Sequence, residues 1–194
     1  DKSLYKFFPF SKKQNQLYLI LVRIIDVVVS IIGLSVLLVI TPVILFFNLI
    51  WNKGPLLFNQ ERIGRKEIPF KIYKLRTMIV NAEKNGAVFA TVNDRRITPL
   101  GKLLRKTRID EFPQFINVLK GEMSIIGPRP ERKVFVDQIA NEIPLYHTRH
   151  IVKPGLTGWA QINYPYGETL EDSLMKLEYD LYYIKHRSIF LDIN

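Results

Sequence analysis

Thr107 to Gln114 reads Thr-Arg-Ile-Asp-Glu-Phe-Pro-Gln, which sets two adjacent carboxylates, Asp110 and Glu111, directly after the cations Arg105, Lys106 and Arg108. Neighbouring acids are most often helix caps, because a carboxylate at a helix start accepts backbone N–H groups and complements the dipole. The cations point to a second reading. They favour the ionised carboxylate and would compensate the charge of a phosphorylated ligand. An aspartate, with an unperturbed pKa of about 3.9, is ionised near neutral pH and can attack phosphorus without a base. The electrophile must then be shielded. Lys74, Arg76, Arg105, Arg108, Arg129 and Arg149 are candidates for phosphate oxygens, and Mg2+ at Asp110 and Glu111 would add neutralising charge. Taken singly, each cation is more often a solvated surface group. Arg129 stands apart, because Pro128 and Pro130 hold it in a rigid turn.

Other chemistries lack their residues. The chain has no cysteine, so it has no disulfide framework, thiolate zinc site or cysteine nucleophile. Neither a Walker P-loop, a Gly-x-Gly-x-x-Gly fingerprint, a serine nucleophile elbow nor a His-Glu-x-x-His helix occurs. His147 and His150 stand three apart, a pairing that is far more often structural than metal-binding. The aromatics Trp159, Tyr164 and Tyr166 read as packing rather than as a stacking platform.

The charge is uneven. Residues 53 to 108 carry 14 Lys or Arg against 4 Asp or Glu, which accounts for the whole formal net charge of +10. Such a field suits a polyanion: nucleic acid, an anionic membrane surface or a phosphorylated substrate. A nucleic-acid module is disfavoured by the apolar stretch that precedes this segment and by the lack of a nucleic-acid fold signature.

That apolar stretch is the first element that must position the acids. Residues 1 to 16 are polar and aromatic. Leu17 to Asn52 is then strongly apolar, and Val27 to Asn52, without one charged residue, would extend roughly 39 Å as helix. Pro42 removes a backbone donor in the middle of it, leaving the Leu38 carbonyl without its partner, and predicts a break; the Thr41 hydroxyl beside it can serve a freed carbonyl. Cations flank both ends, which disfavours placing those ends in different compartments. The pattern predicts a helix-break-helix that enters and leaves by one face, with Arg23 and Asp26 paired near the interface. A kinked spanning helix and a buried core helix are the alternatives.

Downstream the elements are short. Leu56–Ile63 and Ile68–Met78 read as a hairpin around Gly64, with Phe70, Ile72, Lys74 and Arg76 on one face. Residues 80 to 97 read as loop. Pro99 opens a helix that ends at the acidic pair, where Asp110 is a candidate N-cap for an apolar helix closed by Gly121. Glu122 to Ile126 is a candidate strand, and Leu170–His186 an amphipathic helix. The fold class is α+β: a membrane element over 17–52 and a catalytic domain over 53–194, with a small β-hairpin and several interfacial helices around the acids.

These blocks resemble the bacterial sugar transferases known as monotopic phosphoglycosyl transferases. The resemblance rests on Arg23-Ile24-Ile25-Asp26, Pro42, Phe70–Met78, Arg108–Gln114, Asn117–Gly121, Met123–Pro130, Pro154–Asn163 and Tyr179–Tyr183. It implies a re-entrant anchor in the bacterial cytoplasmic membrane, among membrane lipids, with the catalytic domain on the cytoplasmic face. It implies transfer of a sugar 1-phosphate from a UDP-sugar to undecaprenyl phosphate, with Mg2+ and release of UMP, through a covalent intermediate on Asp110. Glu111 would be its partner, and Pro128, Arg129 and Pro130 would contact the nucleotide. Glu131 and Pro165-Tyr166-Gly167 look like the exopolysaccharide branch, which points to glucose or galactose. That branch's larger members carry upstream helices and a further domain, so the chain reads as the catalytic part of a longer one, with room for a homodimer. The rival reading is a non-catalytic membrane-surface scaffold for anionic lipid or assembly partners.

Overall fold

The computed structural model describes residues 15–84, 86, 94–165, 167 and 169–193. The polar segment before residue 15, residues 85 and 87–93 of the 80–97 loop, and residues 166, 168 and 194 lie outside the described residues. The architecture is α+β, with one long apolar helix and small two-stranded sheets.

Helix α1 (Gln16–Trp51) starts where the Asn15 side chain accepts from the Leu17 N–H. It holds 36 residues, a length of about 54 Å. The predicted break does not end the helix, which runs on through Thr41 and Pro42 to Trp51. The Thr41 hydroxyl donates to the Leu37 carbonyl, one residue before the carbonyl that Pro42 leaves bare. Only 17% of its most apolar window is buried. The inner face carries Asp26, Ser30, Gly33, Ile44 and Asn48, a stripe at helical spacing that runs nearly end to end.

That stripe is sewn to the rest of the chain along its length. Arg23 donates to the Val118 and Leu119 carbonyls, while Asp26 accepts from the Ser124 hydroxyl and the Ile125 N–H. The two side chains therefore serve other partners rather than the expected pair. At Gly33 the ring of Phe115 occupies the space that any side chain would need. Leu37, Ile40, Ile44 and Phe47 share a core with Leu75, Leu100 and Leu104.

The hairpin forms as its alternation predicts. Strand β1 (Leu57–Ile63) pairs antiparallel with β2 (Pro69–Leu75), with Phe58 opposite Lys74 and Arg62 opposite Phe70. Helix α2 (Pro99–Thr107) is capped by Thr98, whose side chain accepts from the Gly101 N–H. Arg108 then takes a left-handed conformation, φ 58°, and the chain enters a 3-10 turn over Ile109–Gln114 before α3 (Phe115–Lys120). Asp110 is thus a member of this turn, not the cap of an α-helix. Gly121, at φ 81°, closes α3 as expected. Asn117, fully buried, accepts from the Tyr73 N–H and donates to the Lys71 carbonyl and to Glu122, which fixes the hairpin to α3.

The remaining elements form the opposite wall. Strand β3 (Ser124–Ile126) pairs in parallel with β4 (Gly155–Thr157). Between them lie α4 (Lys133–Glu142) and a 3-10 segment, Tyr146–Ile151; after them come α5 (Trp159–Asn163), α6 (Leu170–His186) and α7 (Ile189–Ile193). Helix α6 has the predicted limits and a full capping box at Thr169 and Asp172. Leu177, Leu181 and Ile184 enter the second core with Val136 and Tyr146, whereas Leu170 and Leu174 stay exposed.

Candidate active site

The left-handed turn at Arg108 and the 3-10 turn after it carry both acids inward, leaving Asp110 7% and Glu111 8% exposed. They open onto a cleft of about 940 Å3 bounded by the hairpin, the 3-10 turn, Arg129 to Arg132, α5 and α6. Lys and Arg outnumber Asp and Glu along its walls, and Phe58, Ile79 and Val80 give one side an apolar lining.

The two carboxylates have opposite environments. Glu111 Oε1 is 3.1 Å from Lys74 Nζ and 3.2 Å from Arg129 Nη2. Burial alone would raise its pKa, but the charges and hydrogen bonds of Arg129 and Lys74 win and hold it at about 2. Asp110 has no such pair. One of its oxygens, Oδ1, is buried without a hydrogen-bond partner among the described residues. Burial pushes its pKa above the ordinary carboxylate value; Lys74 opposes that shift and the Glu111 charge adds to it. Lys74 is itself pulled down to about 8, by burial first and then by Arg129, against the pull of Glu111. Glu111 is therefore held ionised by two cations on its Oε1, while Asp110 is a carboxylate with a bare oxygen.

The six candidate cations divide in two. Lys74, Arg105, Arg108 and Arg129 line the cleft around the acids. Arg105 Nε donates to the Thr77 hydroxyl, which aims its guanidinium along the wall, and Arg108 is exposed. Arg76 and Arg149 reach the cleft wall but are committed to protein groups. Arg76 donates to Asn52, to the Pro55 carbonyl and to the Met78 carbonyl, and so locks the end of α1 to the end of β2. Arg149, 6% exposed, forms two bonds to Asp180 Oδ2 at 2.7 and 3.0 Å, accepts none, and donates also to Tyr146 Oη and the Arg129 carbonyl. Through that last bond it buttresses the turn Pro128-Arg129-Pro130.

Arg62 and Arg132 are cleft residues that the sequence reading passed over. Arg62 donates to the Pro130 carbonyl, Glu131 and Gln60, so it supports the same turn from the other side, and Arg132 pairs with Glu83 at 3.0 Å. The signal for Arg62 was strand alternation: Phe58, Gln60 and Arg62 share the face of Lys74 across the hairpin.

A carboxylate with a bare oxygen ringed by cations is a site whose charge suits an anionic ligand. The sequence profile of the bacterial sugar transferases matches residues 17–194, and the chain belongs to that family. Relatives include a UDP-N-acetylgalactosamine-undecaprenyl-phosphate N-acetylgalactosaminephosphotransferase of Aeromonas hydrophila, 46% identical over 182 residues, covering 92% of this chain and 42% of the relative. A UDP-glucose:undecaprenyl-phosphate glucose-1-phosphate transferase of Klebsiella pneumoniae is 42% identical over 189 residues, covering 95% of this chain and 40% of the relative. A putative undecaprenyl-phosphate N-acetylgalactosaminyl 1-phosphate transferase of Bacillus subtilis is 46% identical over 142 residues, covering 73% and 79%. The chain thus spans about two fifths of the length of the first two.

Proposed function

We propose that the chain transfers a sugar 1-phosphate from a UDP-sugar to undecaprenyl phosphate, a first membrane step of bacterial glycan assembly, with Asp110 as nucleophile. The observation that carries this is the bare, buried Oδ1 of Asp110 beside a Glu111 already neutralised by Lys74 and Arg129. In the first half-reaction an Asp110 oxygen attacks the sugar-bearing phosphorus of the donor, and the P–O bond to UMP breaks with its electron pair leaving on UMP. In the second, an oxygen of the lipid phosphate attacks the same phosphorus and displaces the Asp110 carboxylate. One phosphoanhydride is broken and one is made. Neither attacking oxygen needs a base, so Glu111 serves to orient Lys74 and Arg129 and to lend charge.

Mg2+ fits the acids: it takes oxygen ligands, commonly one or two carboxylates plus substrate phosphates, and Asp110 has an oxygen to offer. Bound there with Glu111, it would neutralise phosphate charge. Lys74, Arg105, Arg108 and Arg129 hold phosphate oxygens, and Pro128 and Pro130 keep Arg129 in place for the nucleotide.

The anchor is proposed to be monotopic. Contacts of the catalytic elements with α1 near its start, where Tyr18 donates to Asp192, and at its end, where Asn52 meets Arg76, support an anchor whose two ends lie on one side. The exposed outer face enters the lipid, and the catalytic domain faces the cytoplasm, where UDP-sugars are made.

The test is UMP release from a panel including UDP-glucose, UDP-galactose and UDP-N-acetylgalactosamine, with and without undecaprenyl phosphate. A Mg2+-dependent burst of one UMP per chain without lipid, absent in Asp110→Asn, supports the covalent route. UMP release that strictly requires the lipid would rule the covalent intermediate out. No release from any donor, with membrane binding intact, would favour the scaffold.

A further inference from the structure

Away from the dyad, the tip of the hairpin meets the 3-10 segment Tyr146–Ile151. Three side chains that can hold a metal converge there: Glu67, His147 and His150, with one ligand atom from each, all within 4.8 Å of one another. Glu67 Oε1 lies 2.7 Å from His147 Nδ1 and 3.9 Å from His150 Nδ1. The His150 side chain is 7% exposed, yet neither ring nitrogen has a hydrogen-bond partner among the described residues. Buried polar atoms left that way cost free energy in any folded chain unless something meets them.

Glu67 arrives by an unusual backbone. Lys66 at φ 56° and Glu67 at φ 62° are consecutive non-glycine residues in the left-handed region, a conformation that persists only where the surroundings impose it. Arg65 pins the same tip by donating from Nε to the Ile151 carbonyl. His150 also borders a small pocket of about 10 Å3 shared with Pro128 and Arg129.

We propose that Glu67, His147 and His150 form a site for Zn2+ or a similar borderline divalent cation, completed by water, which ties the hairpin tip to the segment that carries Arg149. Two imidazoles and one carboxylate suit Zn2+, whereas Mg2+ takes oxygen ligands. Zinc bonds of roughly 2.0–2.2 Å put tetrahedral donors about 3.3–3.6 Å apart. Glu67 and His147 must therefore separate slightly and Glu67 must approach His150. Glu67 and His147 are more than half exposed, at 54% and 53%, so side-chain rotation suffices, and His150 is the fixed ligand. Arg149 lies between the two histidines and donates to the Arg129 carbonyl. A cation here would stiffen the support of the Arg129 turn without touching substrate.

The experiment titrates Zn2+ into the untagged full chain, in detergent or nanodiscs, against a chromophoric chelator, with thermal unfolding followed in parallel. With Mg2+ present throughout at a saturating level, one equivalent of Zn2+ per chain is expected, with a further rise in Tm over Mg2+ alone. His147→Ala and Glu67→Ala change exposed side chains and leave the fold intact; each is expected to weaken Zn2+ binding by more than about tenfold and to remove the Tm rise. His186→Ala, the last of the three histidines, should bind as the parent does. Failure of the parent to take up stoichiometric Zn2+, or undiminished uptake in both His147→Ala and Glu67→Ala, would overturn the site.

Discussion

Asp110 and Glu111 are neighbours with opposite consequences for stability, and the signs can be worked out. The folded-state pKa of Asp110 is raised, so its ionised form is disfavoured by folding, and that penalty is present at all pH values above the folded pKa. Asp110→Asn removes it: at pH 7 the variant is expected to melt higher than the parent while losing more than about a thousandfold in activity. Glu111 has a folded pKa of about 2, below its ordinary value, so its contribution is full above that ordinary value and fades as pH falls from about 5 to about 2. Glu111→Gln is expected to melt lower at pH 7, and calorimetry on the two variants checks both directions. The activity of the free enzyme, read as kcat/KM, should be bell-shaped. Its acid limb reports Asp110, above the ordinary carboxylate value, and its alkaline limb reports Lys74, near pH 8. Lys74→Arg should move the alkaline limb out of range, because a guanidinium keeps its proton. At this scale the sequence was legible for the acids and for Lys74, whose types and cationic neighbourhood declare them. Arg76 and Arg149 were illegible as struts, because the residues that consume their donors lie 24 and 31 positions away.

Elements show the same division. The hairpin, α2 and α6 could be read because alternation, a proline at a helix start and leucines at helical spacing are local signals. The parallel pairing of Ser124 with Gly155 could not, since it depends on a crossover that includes α4 and the Tyr146–Ile151 segment. The 3-10 turn under Asp110 was hidden for a related reason: Asp-Glu before Pro reads as a helix start, and only the left-handed Arg108 turns the carboxylate into the cleft. The pillar of the Arg129 turn gives the element-scale prediction. Asp180 is 1% exposed and accepts both bonds from Arg149, so Asp180→Asn breaks a buried pair and is expected to destabilise the chain by about 3 kcal/mol or more. Denaturant unfolding measures that loss. In assays below the melting range, KM for the donor should rise more than kcat falls, because the turn that holds Arg129 is loosened while Asp110 is untouched.

For the whole molecule, the uncharged run from Val27 to Asn52 was legible as a long apolar helix that fits a membrane anchor, and the flanking cations argued for one side. What no local pattern could announce is that Asp26 would reach Ser124, 98 residues on, or that Gly33 would receive the ring of Phe115. Those contacts make a topological prediction: cysteines introduced at Lys13 and Glu61 should both react with a membrane-impermeant reagent from the cytoplasmic side only. Labelling from opposite sides would refute the monotopic anchor. The shared core of Ile44 with Leu75, Leu100 and Leu104 bears also on how the protein can be handled. A version begun after Asn52, made to be soluble for crystallography or screening, would leave Arg76 without its asparagine and open a greasy trough from Phe115 to Leu100. Such a truncation is expected to precipitate or to need detergent still, as sedimentation would show. The segment that looks like a mooring is also part of the hull.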